Sequence, residues 1–133
     1  MGGGPPDGRL NVIVPGRKRA LLPWKSITAP ALGADPGMFS PNRLYLAWVD
    51  QAGYLWASYC LYDNIEELAD PARRQRIETN GVAERSFTSP SLGFSGNQLF
   101  LSWAGVDKRH TVNFKVLEGV GVGGVYLTDG MPL

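Results

Sequence analysis

The sequence predicts an all-β chain assembled from a repeated antiparallel unit, and two observations carry that prediction. Ser26 to Gly33 reads SITAPALG and is followed by NRLYLAW at Asn42 to Trp48, while Ser86 to Gly93 reads SFTSPSLG and is followed by NQLFLSW at Asn97 to Trp103. The same segments in the same order make a repeat. Each copy is short, Pro-punctuated and rich in strand formers, so the unit is one that needs a neighbour to cover its faces. The second observation is that 17 Gly and 10 Pro are spread between apolar runs over 133 residues. Scattered turn formers favour many short strands over helical packing.

Residues 1–9, MGGGPPDGR, read as a flexible lead-in. Leu10 to Val14 is the first strand, between the turn signals Asp7-Gly8 and Pro15-Gly16, and Ala20 to Trp24 is the second. Together they form a partial unit over residues 10–25. Unit one covers 26–80 and starts with an inner strand at Ala29 to Gly33, followed by a loop with two prolines from Ala34 to Asn42. Leu44 to Val49 comes next, with Leu44, Leu46 and Trp48 on one face and Tyr45, Ala47 and Val49 on the other. A strand apolar on both faces must be covered on both. Asp50 to Gly53 turns the chain into a third strand, Tyr54 to Tyr62.

The segment Asp63 to Arg76 breaks the pattern. Asp63 as cap, Glu66 and Glu67 in the first turn and Ile65 with Leu68 on one face predict a short helix that Asp70-Pro71 stops. Unit two, 86–127, has no such insertion: Pro90 to Phe94, the hairpin dipeptide Gly96-Asn97, Leu99 to Ala104, a turn at Gly105 to Arg109 and a third strand Thr111 to Leu117. Val125 to Leu127 reads as an outer strand and 128–133 as a tail. Gly8-Arg9-Leu10-Asn11-Val12 aligns with Gly53-Tyr54-Leu55-Trp56-Ala57 and with His110-Thr111-Val112-Asn113-Phe114. Equivalent positions are 45 and then 57 residues apart, the insertion supplying most of the excess. One single domain of about ten strands in roughly two and a half units results.

Composition excludes several classes of function. A net charge of +1 sets up no field to draw the chain to nucleic acid or to an anionic membrane. No apolar run approaches the ~20 residues of a membrane span, and the N-terminus lacks the charged and apolar regions of a secretory signal. A soluble chain is expected, cytoplasmic by default or a piece whose targeting segment lies elsewhere. The basic clusters Arg17-Lys18-Arg19, Arg73-Arg74-Gln75-Arg76 and Lys108-Arg109-His110 read as solvated loop charges. Cys60, the single cysteine, sits in an apolar run and reads as a small core residue.

A unit of this length with a Pro-bearing inner strand, a two-faced second strand ending in Trp, and a third strand after an acidic turn is how a four-stranded propeller blade is written. The strings DGRLNV, ITAPALG, NRLYLAWVD, ERSFTSPSLG and NQLFLSWAGVD also resemble the repeats of bacterial sialidase-like β-propellers of the Asp-box type. The resemblance covers most of Asp7 to Leu117 and implies a partial β-propeller of antiparallel four-stranded blades with one short helical insertion. The Ser-x-Asp-x-Gly turn of that family has no counterpart here: Val14-Pro15-Gly16 stands in its place in the partial unit, and the insertion replaces it in unit one. Two and a half blades do not close a ring, so further chain or self-association through open strand edges is expected.

The resemblance is to a repeat shared by hydrolases, lectins and scaffolds, so function rests on the residues. A sialidase-like glycosidase needs converging arginines, an activated nucleophile and a positioned acid. The residues available, Arg43, Tyr62, Glu66, Glu78 and Glu84, are scattered. His110, the only histidine, lies in a turn with no nucleophile pattern beside it, and neither a metal nor a cofactor is expected. A binding module is the better reading. Sugar sites combine an aromatic platform with a few Asp, Asn or Arg groups. Trp56 and Asn113 occupy equivalent third-strand positions, and Asp50 and Asp107 the turn before them, so these four are the candidate ligand-binding residues. Trp48 and Trp103, on two-faced strands, are expected in the core. The expected partner is a glycan or other small polar ligand, and the alternatives are a fragment of a glycoside hydrolase or a scaffold subunit.

Overall fold

The strand β4 (Arg43–Val49) is buried along its whole length, and the described parts of the chain are arranged around it. The computed structural model describes residues 8–13, 19–34, 43–95, 98–118, 126–127 and 131–132. Two antiparallel strands, β1 (Arg9–Ile13) and β2 (Arg19–Lys25), form the first sheet. A four-stranded sheet follows in the order β3 (Ala31–Ala34), β4, β5 (Leu55–Leu61) and β6 (Gln75–Arg76). A hairpin of β7 (Glu78–Thr79) and β8 (Val82–Ala83) stands apart. The last sheet runs β9 (Ser91–Ser95), β10 (Gln98–Ala104) and β11 (Val112–Glu118), with both β12 (Tyr126–Leu127) and β13 (Met131–Pro132) paired to β11. The fold is all-β and antiparallel, and among the described residues none of its sheets closes.

The alternation read from Leu44 to Val49 builds two cores. Leu44, Leu46 and Trp48 pack with Leu10, Val12, Ala20 and Leu22 of the first sheet. Tyr45, Ala47 and Val49 pack with Leu99, Leu101, Trp103 and Leu117 of the last. The middle sheet is thus covered on both faces, and Trp48 and Trp103 are core residues, 1% and 3% exposed. Cys60 is buried in the first of these cores, and burial pushes its thiol up to about 12, with Glu67 adding to the shift.

The repeat alignment holds in the backbone. Gly8, Gly53 and His110 are all in the left-handed region, at φ 76°, 88° and 51°. The residue opening the repeated SxT string is bonded alike in both copies: the Ser26 N–H donates to the Gly8 carbonyl and the Ser86 N–H to the Gly53 carbonyl, each at 2.9 Å. Each Ser hydroxyl also receives the N–H of the Thr two residues on. The conserved-looking string is therefore a clasp between the end of one unit and the start of the next. Left-handed φ at a non-glycine residue costs about 1–2 kcal/mol, partly offset by the greater unfolded-state freedom of glycine. His110→Gly is accordingly expected to stabilise the protein by about 0.5–1 kcal/mol, read as a higher urea midpoint at unchanged slope.

Three features differ from the sequence reading. The inserted helix is a 3₁₀ helix, Tyr62–Ala69, broken by non-helical Asn64, and its N-cap is Leu61 with no side-chain cap bond, so Asp63 does not cap it. It ends at Asp70 as Asp70-Pro71 predicts, and its Ile65 and Leu68 enter the core below β2 and β4. A second insertion, the β7–β8 hairpin, was not read from the sequence although Asn80 and Gly81, at φ 53° and 79°, form the primed turn that an Asn-Gly pair favours. The hairpin interrupts the unit's fourth strand: the Ile77 N–H bonds the Leu55 carbonyl before it, and the Leu55 N–H bonds the Glu84 carbonyl after it. Finally, strand pairing reaches beyond the expected bounds, with Arg9 in β1 and Met131–Pro132 on β11. The lead-in 1–7, the turns at Pro15-Gly16 and Gly96-Asn97, most of the Ala34–Asn42 loop and Val125 lie outside the described residues.

Candidate functional site

The four candidate residues fall into two pairs, one at each β-turn between a second and a third strand. In unit one the Asp50 carboxylate accepts the N–H groups of Ala52 and Tyr54 through Oδ1, both at 2.9 Å, and the indole N–H of Trp56 through Oδ2 at 2.8 Å. In unit two Asp107 Oδ1 accepts the Thr111 N–H at 2.9 Å and Oδ2 the Thr111 hydroxyl at 2.6 Å. Asn113 Nδ2 donates to the Thr111 carbonyl at 3.1 Å. Both turns close through the same backbone bond, from the Gly53 N–H to the Asp50 carbonyl and from the His110 N–H to the Asp107 carbonyl, each 3.0 Å. The Thr111 hydroxyl, with the Thr111 N–H, holds the exposed Asp107 carboxyl below the usual carboxylate range. Each Asp shapes a turn by satisfying amides that would otherwise face the bend.

Each turn also borders a cleft against the preceding unit. The first, ≈ 180 Å³, lies between Pro23, Trp24 and Lys25 of β2 and Trp48, Asp50 and Gln51, with Arg74 closing one side. The second, ≈ 420 Å³, lies between Ala83, Glu84 and Arg85 and the turn that carries Asp107, with Thr111 and Asn113 beyond. The frame is the same but the chemistry differs, because Asn113 stands where Trp56 stands. Two indoles line the first cleft, and no aromatic residue lines the second.

Two indoles, Trp24 and Trp48, line the first cleft, and a third, Trp56, packs against Trp48. Trp48 is stacked on Trp24 (centroids 6.0 Å apart, planes 11° apart) and on Trp56 (6.4 Å, 12°). The Trp24 indole N–H is anchored on the Leu68 carbonyl of the 3₁₀ helix at 2.7 Å, as Trp56 is anchored on Asp50. The guanidinium of Arg74 lies 4.2 Å from the Trp24 ring centroid and 4.1 Å from that of Trp56. Trp56 thus packs against Trp48 and Arg74 and is not among the residues that line the cleft.

No family model, curated protein or solved structure matches this chain.

The basic segment Arg73 to Arg76 is solvated at Gln75 and Arg76 and half-buried at Arg73 and Arg74, and its arginines are engaged with rings and glutamates. Arg73 pairs with Glu67 at 2.9 Å and lies over Tyr59, while Arg76 pairs with Glu78 at 3.3 Å and lies over Tyr54. Aromatic faces on neighbouring strands absorb the charges, because a flat guanidinium stacks on a ring at little desolvation cost. Sequence reasoning therefore missed Arg74 and Trp24 as site residues. No local pattern marks them, since Arg74 lies in the connection before β6 and Trp24 on β2 of the first sheet. Residues considered for hydrolysis lie on separate elements: Arg43 on β4, Tyr62 and Glu66 on the helix, Glu78 on β7, and Glu84 at the second cleft. His110 is an exposed turn residue. Among the described residues no cluster of three His, Cys, Asp or Glu could hold a metal ion, and no helix is long and apolar enough to cross a membrane.

Proposed function

We propose that this protein is a non-catalytic binding module of β-propeller type whose ligand, a saccharide, enters the cleft between the partial unit and unit one. The observation that carries the reading is a cleft lined by the indoles of Trp24 and Trp48 together with the carboxylate of Asp50, which the Trp56 indole N–H holds in place. Apolar sugar faces stack on indole rings, while hydroxyls take hydrogen bonds from a few fixed polar groups. Here Oδ2 of Asp50 has accepted one bond and keeps a second lone pair for a hydroxyl. Lys25 and Gln51 stand at the same cleft. The repetition of the Asp turn in unit two supports the reading of these clefts as positions that a repeat architecture offers for binding, with the second cleft, which has no aromatic wall, serving a different ligand or none.

The test is a glycan array probed with the labelled full chain, followed by titration of any hit while the indole Nε1–H resonances are recorded. Binding that shifts the Trp24 and Trp56 resonances is the expected result. Absence of binding across the array, or hits that leave both indoles unmoved, would overturn the saccharide reading of this cleft. Turnover of a fluorogenic glycoside would instead revive the hydrolase alternative.

A further inference from the structure

We infer that the outer face of the last sheet is a docking surface for a second copy of this chain, which seats the outer face of its own first sheet there, head to tail. The contact runs through side chains on sheet faces, not through strand edges.

The docking face follows from the strand period. In β10, Leu99, Leu101 and Trp103 point into the core shared with unit one, so Phe100, Ser102 and Ala104 point away from it. These three lie opposite Val116, Phe114 and Val112 of β11, and Phe100 also lies opposite Gly93 of β9. The rings of Phe100 and Phe114 pack together with centroids 5.8 Å apart, and Val112 is 49% exposed. Unit one has the same face at Tyr45, Ala47 and Val49, and there it is fully buried because unit two stacks on it. The equivalent Phe100, Ser102 and Ala104 are only half-buried. The glycines differ in the same way. A Cβ on Gly33 would lie 3.3 Å from the Leu92 Cβ, whereas one on the equivalent Gly93 would meet nothing within 4 Å among the described residues. The last sheet therefore presents the surface on which a further unit of this repeat stacks.

The first sheet presents a surface of the kind that stacks. Its Leu10, Val12, Ala20 and Leu22 face unit one, which leaves Ile13 and Leu21 on the opposite face, each 54% exposed. Ile13 stands in the repeat where Lys115 stands in unit two. Lys115 is buried and donates from Nζ to the Glu78 carbonyl of unit one, so this position faces the preceding unit. Placed after unit two in repeat order, a second copy brings its Ile13 and Leu21 against Phe100, Phe114 and Val112. Asn11 and Arg19, opposite Leu21 and Ile13 on the ladder, form the polar rim. Because the two surfaces differ, each pair of copies leaves one of either kind free, and assembly continues until a ring closes.

The experiment is sedimentation velocity over a concentration series on the full chain and on two variants, Ile13→Arg and Val112→Arg, each with its urea midpoint checked against the parent. The parent is expected to sediment as an assembly larger than a monomer. Each variant alone is expected to be monomeric, and their equimolar mixture to give a 1:1 heterodimer and nothing larger. Ile13→Arg keeps the last-sheet face and Val112→Arg the first-sheet face, so only unlike molecules fit. Leu21→Arg repeats the first block from β2 and takes over if Ile13→Arg lowers the urea midpoint. A parent that stays monomeric at every concentration would overturn the inference. So would variants that fail to combine, or an Ile13→Arg chain that still dimerises, since that face would then be meeting its own copy.

Discussion

Trp48→Ala is expected to destabilise the protein by about 3–5 kcal/mol, the largest loss of any single truncation in the first core. Trp48 is 1% exposed and packs against both Trp24 and Trp56, with Leu44 and Leu46 beside it on β4. Removing the ring takes away its transfer energy and leaves a cavity that the strand cannot collapse to fill, since β4 is paired with β5 along its length and with β3 over Leu44 to Ala47. It also takes away the surface on which Trp24 and Trp56 are aligned, so their clamp on Arg74 loosens. A urea melt gives the stability loss. For the clamp, Trp48→Phe keeps an aromatic floor with a smaller deficit, and its indole resonances report whether Trp24 and Trp56 remain ordered. If Trp48→Ala melts within 1 kcal/mol of the parent, as an exposed substitution does, the two-faced burial of β4 is wrong.

The second large effect concerns the exposed face of Leu32. Leu32 and Leu92 are equivalent in the repeat, on β3 and β9, and each faces the preceding unit. Leu92 is covered there by the inner strand β3, so closely that a Cβ on Gly33 would come within 3.3 Å of the Leu92 Cβ. Leu32 is 52% exposed, because no inner strand of the partial unit is present among the described residues to cover it. β1, the equivalent of β5 and β11, has a partner on one edge only among those residues. Joining a copy of residues 26–52 directly to Gly8 would supply the inner strand, the second strand and the turn Asp-Gln-Ala-Gly in their native order. The extended chain is expected to gain at least about 2 kcal/mol from the burial of Leu32 alone, and the amides of Leu10 to Ile13 are expected to exchange more slowly. Light scattering on the parent chain provides the complementary reading, since an unpaired edge favours association. An extension that changes neither the midpoint nor β1 exchange would show that the partial unit is complete as it stands.

Strand alternation, turn chemistry and the repeat were legible because they are local. The all-β class follows from scattered Gly and Pro, and the two-faced burial of Leu44 to Val49 follows from a period of two with apolar residues on both phases. The alignment of Gly8, Gly53 and His110 was legible as well, although only the backbone shows that all three share a left-handed conformation. Asp50 and Asp107 were recognisable as turn residues, and Trp56 and Asn113 as their repeat partners, because each lies six residues after its Asp.

What the tertiary structure decided is which distant groups meet at one cleft. Trp24 comes from the partial unit, Trp56 from the third strand of unit one, and Arg74 from the connection after the helix, and no local pattern links these three positions. The sequence could read Arg73 to Arg76 only as a run of charges, since the rings that stack on them are supplied by other strands. The same reason hid the fate of the insertion: Ile65 and Leu68 mark an apolar face, but the β2 surface that receives it is set by sheet packing. Periodicity and turn residues act over a few bonds and so determine elements and their exposed faces, whereas a binding cleft is made by side chains that meet only when those faces are stacked.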